Sequence, residues 1–290
     1  MVPEAALLDR LSDKDLALLA AAAGEPGLSS AALRREPAHI DELLARRESF
    51  AALFGRTTKD PLVVVSPFLT FAVLLAHTPA LLSGLSFVPE PVGGRKRVPV
   101  FEVEPLRDFV ADPMHRLFLA DLLASYTHVA SGPIWVHTRR GWRHKRFSEL
   151  DPMQFAELIL TTPPEQRLVL YRRLGDLALF LTGVFPDHVE GRAFPPVAVE
   201  RLSRAVAEGE SAAGRRQEPM ALDLRTMDLL ERLGRRSYQV AWDATPFPDA
   251  GFARVLGDVA GHFRHARMIL NLLTDRYLFT QRERWFPLAS

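Results

Sequence analysis

The chain has 290 residues, 48% of them hydrophobic and 24% charged, with a formal net charge of +1 at pH 7. That length and composition suffice for a large buried core, and the balanced charge excludes a global field that draws nucleic acid or an acidic membrane, leaving only local patches. Cysteine is absent, which excludes disulfides, thiolate metal sites and cysteine nucleophiles and fits a cytoplasmic protein.

Residues 1–24 carry no uninterrupted hydrophobic segment of signal-peptide type, so no export signal is expected. Residues 3–23 read as short helices, with Ser12 as an N-cap and Asp13 and Asp15 in the following first turn. A turn at 24–27, a short helix at 29–35 and a longer one from Pro37 to a cap at Gly55 complete a peripheral helical layer, residues 1–60. Residues 61–290 are expected to form the main helical domain, including a strand-helix-hairpin segment at 98–150. Between Asp60 and Glu90 there is no Asp, Glu, Lys or Arg. Pro67 and Pro79 with Ser66, Thr70, His77 and Thr78 make this a core helix and turn, not a membrane span. The preceding residues 62–65 are β-branched but short.

Pro89, Pro91, Gly93 and Gly94 then predict a loop, followed by Arg95, Lys96 and Arg97. A strand at 98–103, a short helix at 105–111 and a longer helix at 113–129 follow. Residues 134–138 are rich in β-branched and aromatic side chains, 139–141 form a turn with Gly141 placed for positive φ, and 142–147 return. This predicts a β-hairpin over about 133–147. After a helix at 152–160 comes the element that organises the fold, a helix over about 164–185 whose second half carries no charge. A helix apolar on nearly all sides must be wrapped by others. A helix at 197–208, a polar exposed loop at 209–218 and two long helices at 222–242 and 249–285 close the chain. The fold class is therefore all-α, a multi-helix bundle around a buried central helix with one hairpin.

The hairpin is the first candidate for function. Arg139, Arg140, Arg143, Lys145 and Arg146 place five fixed positive charges within eight residues, with His144 among them and Trp135 and Trp142 beside them. The order strand, short helix, longer helix, strand, basic turn, strand resembles the winged-helix fold. That resemblance implies a longer helix in the DNA major groove and a wing on phosphate. Residues 117–124, however, offer Asp121 and otherwise apolar side chains where base reading needs Arg, Lys, Asn or Gln. The plainer reading of such charges is a solvated strand edge that blocks pairing with another chain.

The second candidate is a buried polar network. Asp176 is the acid within the apolar part of the central helix, with Arg172 four residues before it, and the last helix carries Arg267, Asn271 and Asp275 through an apolar pattern. These five are expected to meet across the bundle. His262 and His265 share a helical face with Asp258, but no Glu-x-x-His repeat accompanies them, so no metal or cofactor is assigned. No G-x-S-x-G elbow, phosphate loop or dinucleotide fingerprint occurs, and no catalytic residue is assigned.

The stretch Leu174-Gly175-Asp176-Leu177 through Gly183-Val184-Phe185-Pro186, taken with Leu233-Gly234-Arg235-Arg236-Ser237-Tyr238, resembles a block found in a family of bacterial helical proteins with no assigned activity. The resemblance implies that these two helices pack together, with Gly175, Gly183 and Gly234 allowing close approach. Taken whole, the sequence predicts a cytoplasmic binding or regulatory protein that contacts another protein or itself through the hairpin, without a membrane. Nucleic-acid binding is the alternative. A further alternative is a small-molecule or enzymatic bundle with a pocket near Asp176 lined by Phe180, Phe263 and Met268.

Overall fold

Helix dominates the computed structural model, which describes residues 3–55, 60–93, 96–129, 131–138, 141–191, 193–215, 224–245 and 252–287. The chain divides into two compact units, residues 1–89, 99–127 and 250–255 in one and residues 90–98, 128–249 and 256–290 in the other. The first unit contains α1 (Pro3–Leu8), α2 (Asp13–Ala23), α3 (Ser30–Arg35), α4 (Ile40–Ala45), α5 (Arg47–Phe54), α6 (Pro61–Val64) and α7 (Pro67–Ser83). The strands β1 (Val88–Gly93) and β2 (Lys96–Val100) pair with each other, and α8 (Glu104–Ala111) and α9 (Pro113–Ser125) return to the first unit.

Capping defines the helix starts. Ser12 accepts the Asp15 backbone N–H, and the Asp15 carboxylate accepts the Ser12 N–H, a reciprocal box that starts α2. Asp15 is fully buried, and its other oxygen accepts the backbone N–H of Ser66 at 2.9 Å, the N-cap residue of α7. One carboxylate thus fixes two helix origins 51 residues apart in sequence. Asp15→Ala is expected to cost about 1.5–3 kcal/mol, because it removes charge-assisted bonds and strands a part-buried N–H. A urea-unfolding midpoint that does not move would refute this.

The β-branched residues 62–65 do not extend. Pro61 presets a helical first turn, and Asp60 accepts the Leu62 N–H at 3.0 Å, so this segment winds into α6. The uncharged stretch after it forms α7, buried along most of its length and packed on α9 and α4. Among the described residues no helix is long and apolar enough to cross a membrane. Residues 88–93, expected as loop, are strand.

The second unit holds β3 (Ser131–Thr138), β4 (Gly141–Ser148), α10 (Pro152–Thr161), α11 (Leu168–Val184), α12 (Pro186–Glu190), α13 (Pro196–Ala212) and α14 (Thr226–Asp243). The later part of the chain supplies α15 (Phe252–Gly261), α16 (Phe263–Leu273) and α17 (Arg282–Trp285). The central helix is α11, preceded by a 3-10 turn at Pro164–Gln166. Every residue from Leu174 to Val184 is buried, and α14, α16 and α10 wrap it.

Gly175 and Gly234 lie where α11 and α14 approach each other, whereas Gly183 faces α16 instead. A Cβ on Gly175 would fall 2.5 Å from the Tyr238 ring and one on Gly183 2.7 Å from Leu270, while one on Gly234 would strike Phe263 and Ala178.

Two expectations are corrected here. Residues 209–212 continue α13 instead of looping out, because Glu210 is buried and clamped by Arg236 at 2.6 and 2.5 Å and Gly209 lies against Tyr171 and Val240. The closing helix expected over 249–285 is broken. His262, at φ −114° and ψ 30°, separates α15 from α16, and a π-helical turn at Thr274–Leu278 precedes α17.

Candidate contact surface and charged cluster

The hairpin forms as a regular antiparallel ladder. Trp135 stands opposite His144, His137 opposite Trp142 and Thr138 opposite Gly141, whose φ of 102° is the positive value the turn requires. Alternation along a strand puts Trp135, Trp142 and His144 on one face, with the Trp135 and His144 rings 5.2 Å apart in an edge contact. The two indoles are 66% and 67% exposed. Phe147, on the opposite face, packs its ring against Phe155 of α10 at 6.2 Å. The side of the ladder carrying Phe147 therefore rests on the helices, and the tryptophan side turns away from them. Arg143, Lys145 and Arg146 occupy β4 register positions opposite Val136, Ile134 and Pro133. Arg139 and Arg140 lie outside the described residues.

The winged-helix order of elements is present, but its pairing differs. β2 pairs with β1, and β3 with β4 forms a separate two-stranded sheet. No residue of α9 is exposed, and its His115, Leu117, Phe118 and Leu122 are buried.

The five residues expected in one polar network are held in distinct arrangements. Asp176 accepts the Tyr238 hydroxyl at 2.8 Å and has Arg172 at 3.9 Å. Arg267, only 4% exposed, reaches Glu90 at 2.6 Å, Glu231 at 3.0 Å and Asn271 at 3.4 Å. Asp275 meets Arg97, which also grips Asp187 through two bonds.

Asn271 donates to the carbonyls of Thr182 and Gly183 at 2.9 and 2.7 Å, covering orphan acceptors at the end of α11. Arg264 grips Glu90 as well, at 3.0 and 2.5 Å. Burial pulls the Glu90 carboxyl upward, but the guanidiniums of Arg264 and Arg267 outweigh it and hold the group below its ordinary value. At Glu190 burial prevails, raising its carboxyl despite Arg225 nearby. Sequence reasoning missed Glu90 and Glu231. Glu231 stands four residues before Arg235 in an ordinary amphipathic pattern, and Glu90 sits among prolines, so neither carries a local signal.

His262 and His265 stack at 5.5 Å, and Nδ1 of His262 faces the Asp258 backbone carbonyl at 3.0 Å. Among the described residues no group of three or more His, Asp or Glu is placed to hold a metal ion. Phe180, Phe263 and Met268, expected to line a pocket, are buried, with Phe180 against Phe185 and Phe286 and Phe263 against Tyr238. An open cleft of about 890 Å³ lies instead at the start of α11, walled by Leu168, Tyr171, Ala207, Gly209 and Val240.

The fold and surface define a mostly helical protein that carries a hairpin faced with tryptophan. No protein-family model matches the chain, and neither a curated protein nor a solved structure matches it.

Proposed function

We propose that this is a cytoplasmic, non-catalytic binding protein whose contact surface is the β3–β4 hairpin. The observation that supports this reading is the pair of exposed indoles, Trp135 and Trp142, on the face turned away from the helices. Large aromatic side chains gain most from leaving water, and they are the commonest anchors of binding surfaces. The same element carries five positive charges and no acid between residues 131 and 148, while the chain as a whole carries +1. The remainder therefore has a net charge of −4, the difference between +1 and +5, so residues 131–148 concentrate positive charge in a sequence that is otherwise mildly acidic.

Retention on immobilised heparin tests the reading. Wild-type protein should elute at higher salt than a variant with Arg139, Arg140 and Arg143 all changed to alanine. Co-elution of the two would remove the hairpin from the contact.

A further inference from the structure

The open cleft of about 890 Å³ at the start of α11 lies wholly within the second unit, and its size suits a small molecule. Its floor is apolar and closed. Tyr171 uses its hydroxyl to bond the Ala205 carbonyl at 2.8 Å, and a Cβ on Gly209 would come 2.6 Å from both Tyr171 and Val240. Leu168 and Ala207, each half-buried, flank that floor with aliphatic side chains. Such a surface takes an apolar body and offers no polar group to select another.

The rim decides the charge. Arg167 donates to Glu208 at 2.7 Å and to the Thr162 carbonyl at 2.7 Å. Arg204 donates to Glu200 at 3.1 Å, and Arg215 donates to Asp243 through two bonds. Each of these three bases is matched by an acid. Among the described residues of the rim, the exposed Glu165 is the acid left over. Helix ends add to that surplus. α13 brings its C-terminal turn to the cleft through Gly209, Ser211 and Ala212, and α14 does so through Val240 and Asp243, while α11 brings its N-terminus. Two negative helix ends against one positive end reinforce the carboxylate.

An anion would meet this surplus with every guanidinium of the rim already engaged, and a neutral molecule would leave the surplus unanswered. A flat organic cation answers both the floor and the rim. We infer that the cleft at the start of α11 binds a small organic cation, its apolar body on Leu168, Tyr171, Ala207 and Val240 and its positive head at Glu165 and the ends of α13 and α14. This site adds a ligand to the protein and does not depend on the hairpin as contact surface. Binding weakens as salt screens the exposed carboxylate.

The test titrates the full chain with thioflavin T, a flat monocation that fluoresces when its rings are held, and with anilinonaphthalene sulfonate, an aromatic anion. At low salt thioflavin T should saturate at one per chain and bind at least about tenfold more tightly than the anion, since attraction replaces repulsion at the same carboxylate. Glu165→Gln should weaken the cation about threefold or more at low salt and match the wild type at high salt. Ala207→Trp should fill the cleft and weaken binding about tenfold or more. Ala244→Trp, at an exposed position of the rim, should give the same direction if the larger ring at the half-buried Ala207 unfolds the chain. Val197→Trp, on an exposed position of α13 outside the cleft, should bind as the wild type does.

Equal or tighter binding of the anion overturns the inference, as does cation binding that ignores both cleft-filling variants. An absence of saturable binding at low salt also overturns it. Dimerisation in sedimentation that displaces the dye and is abolished by Ala244→Trp gives the cleft to a second copy of the chain and overturns it as well.

Discussion

Gly234→Ala is expected to destabilise the protein by about 1–3 kcal/mol, the range for overpacking a filled core, even though alanine favours a helix by about 1 kcal/mol over glycine. The added methyl would strike the Phe263 ring and come 2.9 Å from the Ala178 Cβ. Neither neighbour can withdraw cheaply. Ala178 is fixed to the backbone of α11, and Phe263 is fully buried with Tyr238 beside it, 6.0 Å between ring centroids. Gly234→Val adds two more carbons and a β-branch, so a loss of about 3 kcal/mol or more is expected. Gly261 provides the control, since nothing lies within 4 Å of the position its Cβ would take. Thermal or urea unfolding should show Gly261→Ala near neutral and Gly234→Ala clearly weakened. Equal stability of the two would mean that α11 and α14 are not in the close contact described.

Arg267→Met should cost about 3–5 kcal/mol, the usual result of removing one partner from a buried ion cluster. The guanidinium bridges Glu90, Glu231 and Asn271 from a nearly inaccessible position. Glu90 keeps Arg264, which is itself half exposed, and Glu231 loses the charge that offsets its desolvation. Lysine should restore little, because its point charge cannot reproduce the two-edged geometry that joins Glu90 to Glu231.

The acid response gives a second readout of the same cluster. Glu90 is held below its ordinary value of 4.5 in the folded protein. Its contribution is therefore present above pH 4.5 and is lost as pH falls through the folded value. The wild type should lose more stability than Arg267→Met as the solution is acidified below pH 4.5. Parallel pH curves would separate Glu90 from Arg267 energetically.

Local patterns made much of this fold legible. Alternation and a glycine at the turn marked the hairpin, since a two-residue period and a positive φ leave their trace within fifteen residues. The uncharged half of α11 announced its own burial, and glycines 175, 183 and 234 announced close approach. What escaped was long-range polar pairing. Asp15 reads as a first-turn acid, which it is, but its bond to Ser66 has no periodicity to reveal it. Glu90 lies 177 residues before Arg267 in a segment whose prolines suggest loop. The break at His262 was hidden because the apolar pattern continues on both sides of it. The hairpin charges were visible as sequence, whereas the outward direction of Trp135 and Trp142 required the register and the Phe147 contact to the helices.

The end of α11 carries a consequence for how the chain is made. The carbonyls of Thr182 and Gly183 are covered by Asn271, and that of Val184 by Arg282, which is 98 residues further along. During translation the central helix therefore emerges long before the side chains that close its C-terminal end. Until α16 and the residues after it leave the ribosome, those acceptors bond to water and the last turn of α11 frays. The helix on which the second unit is built is thus among the last parts of the molecule to become complete.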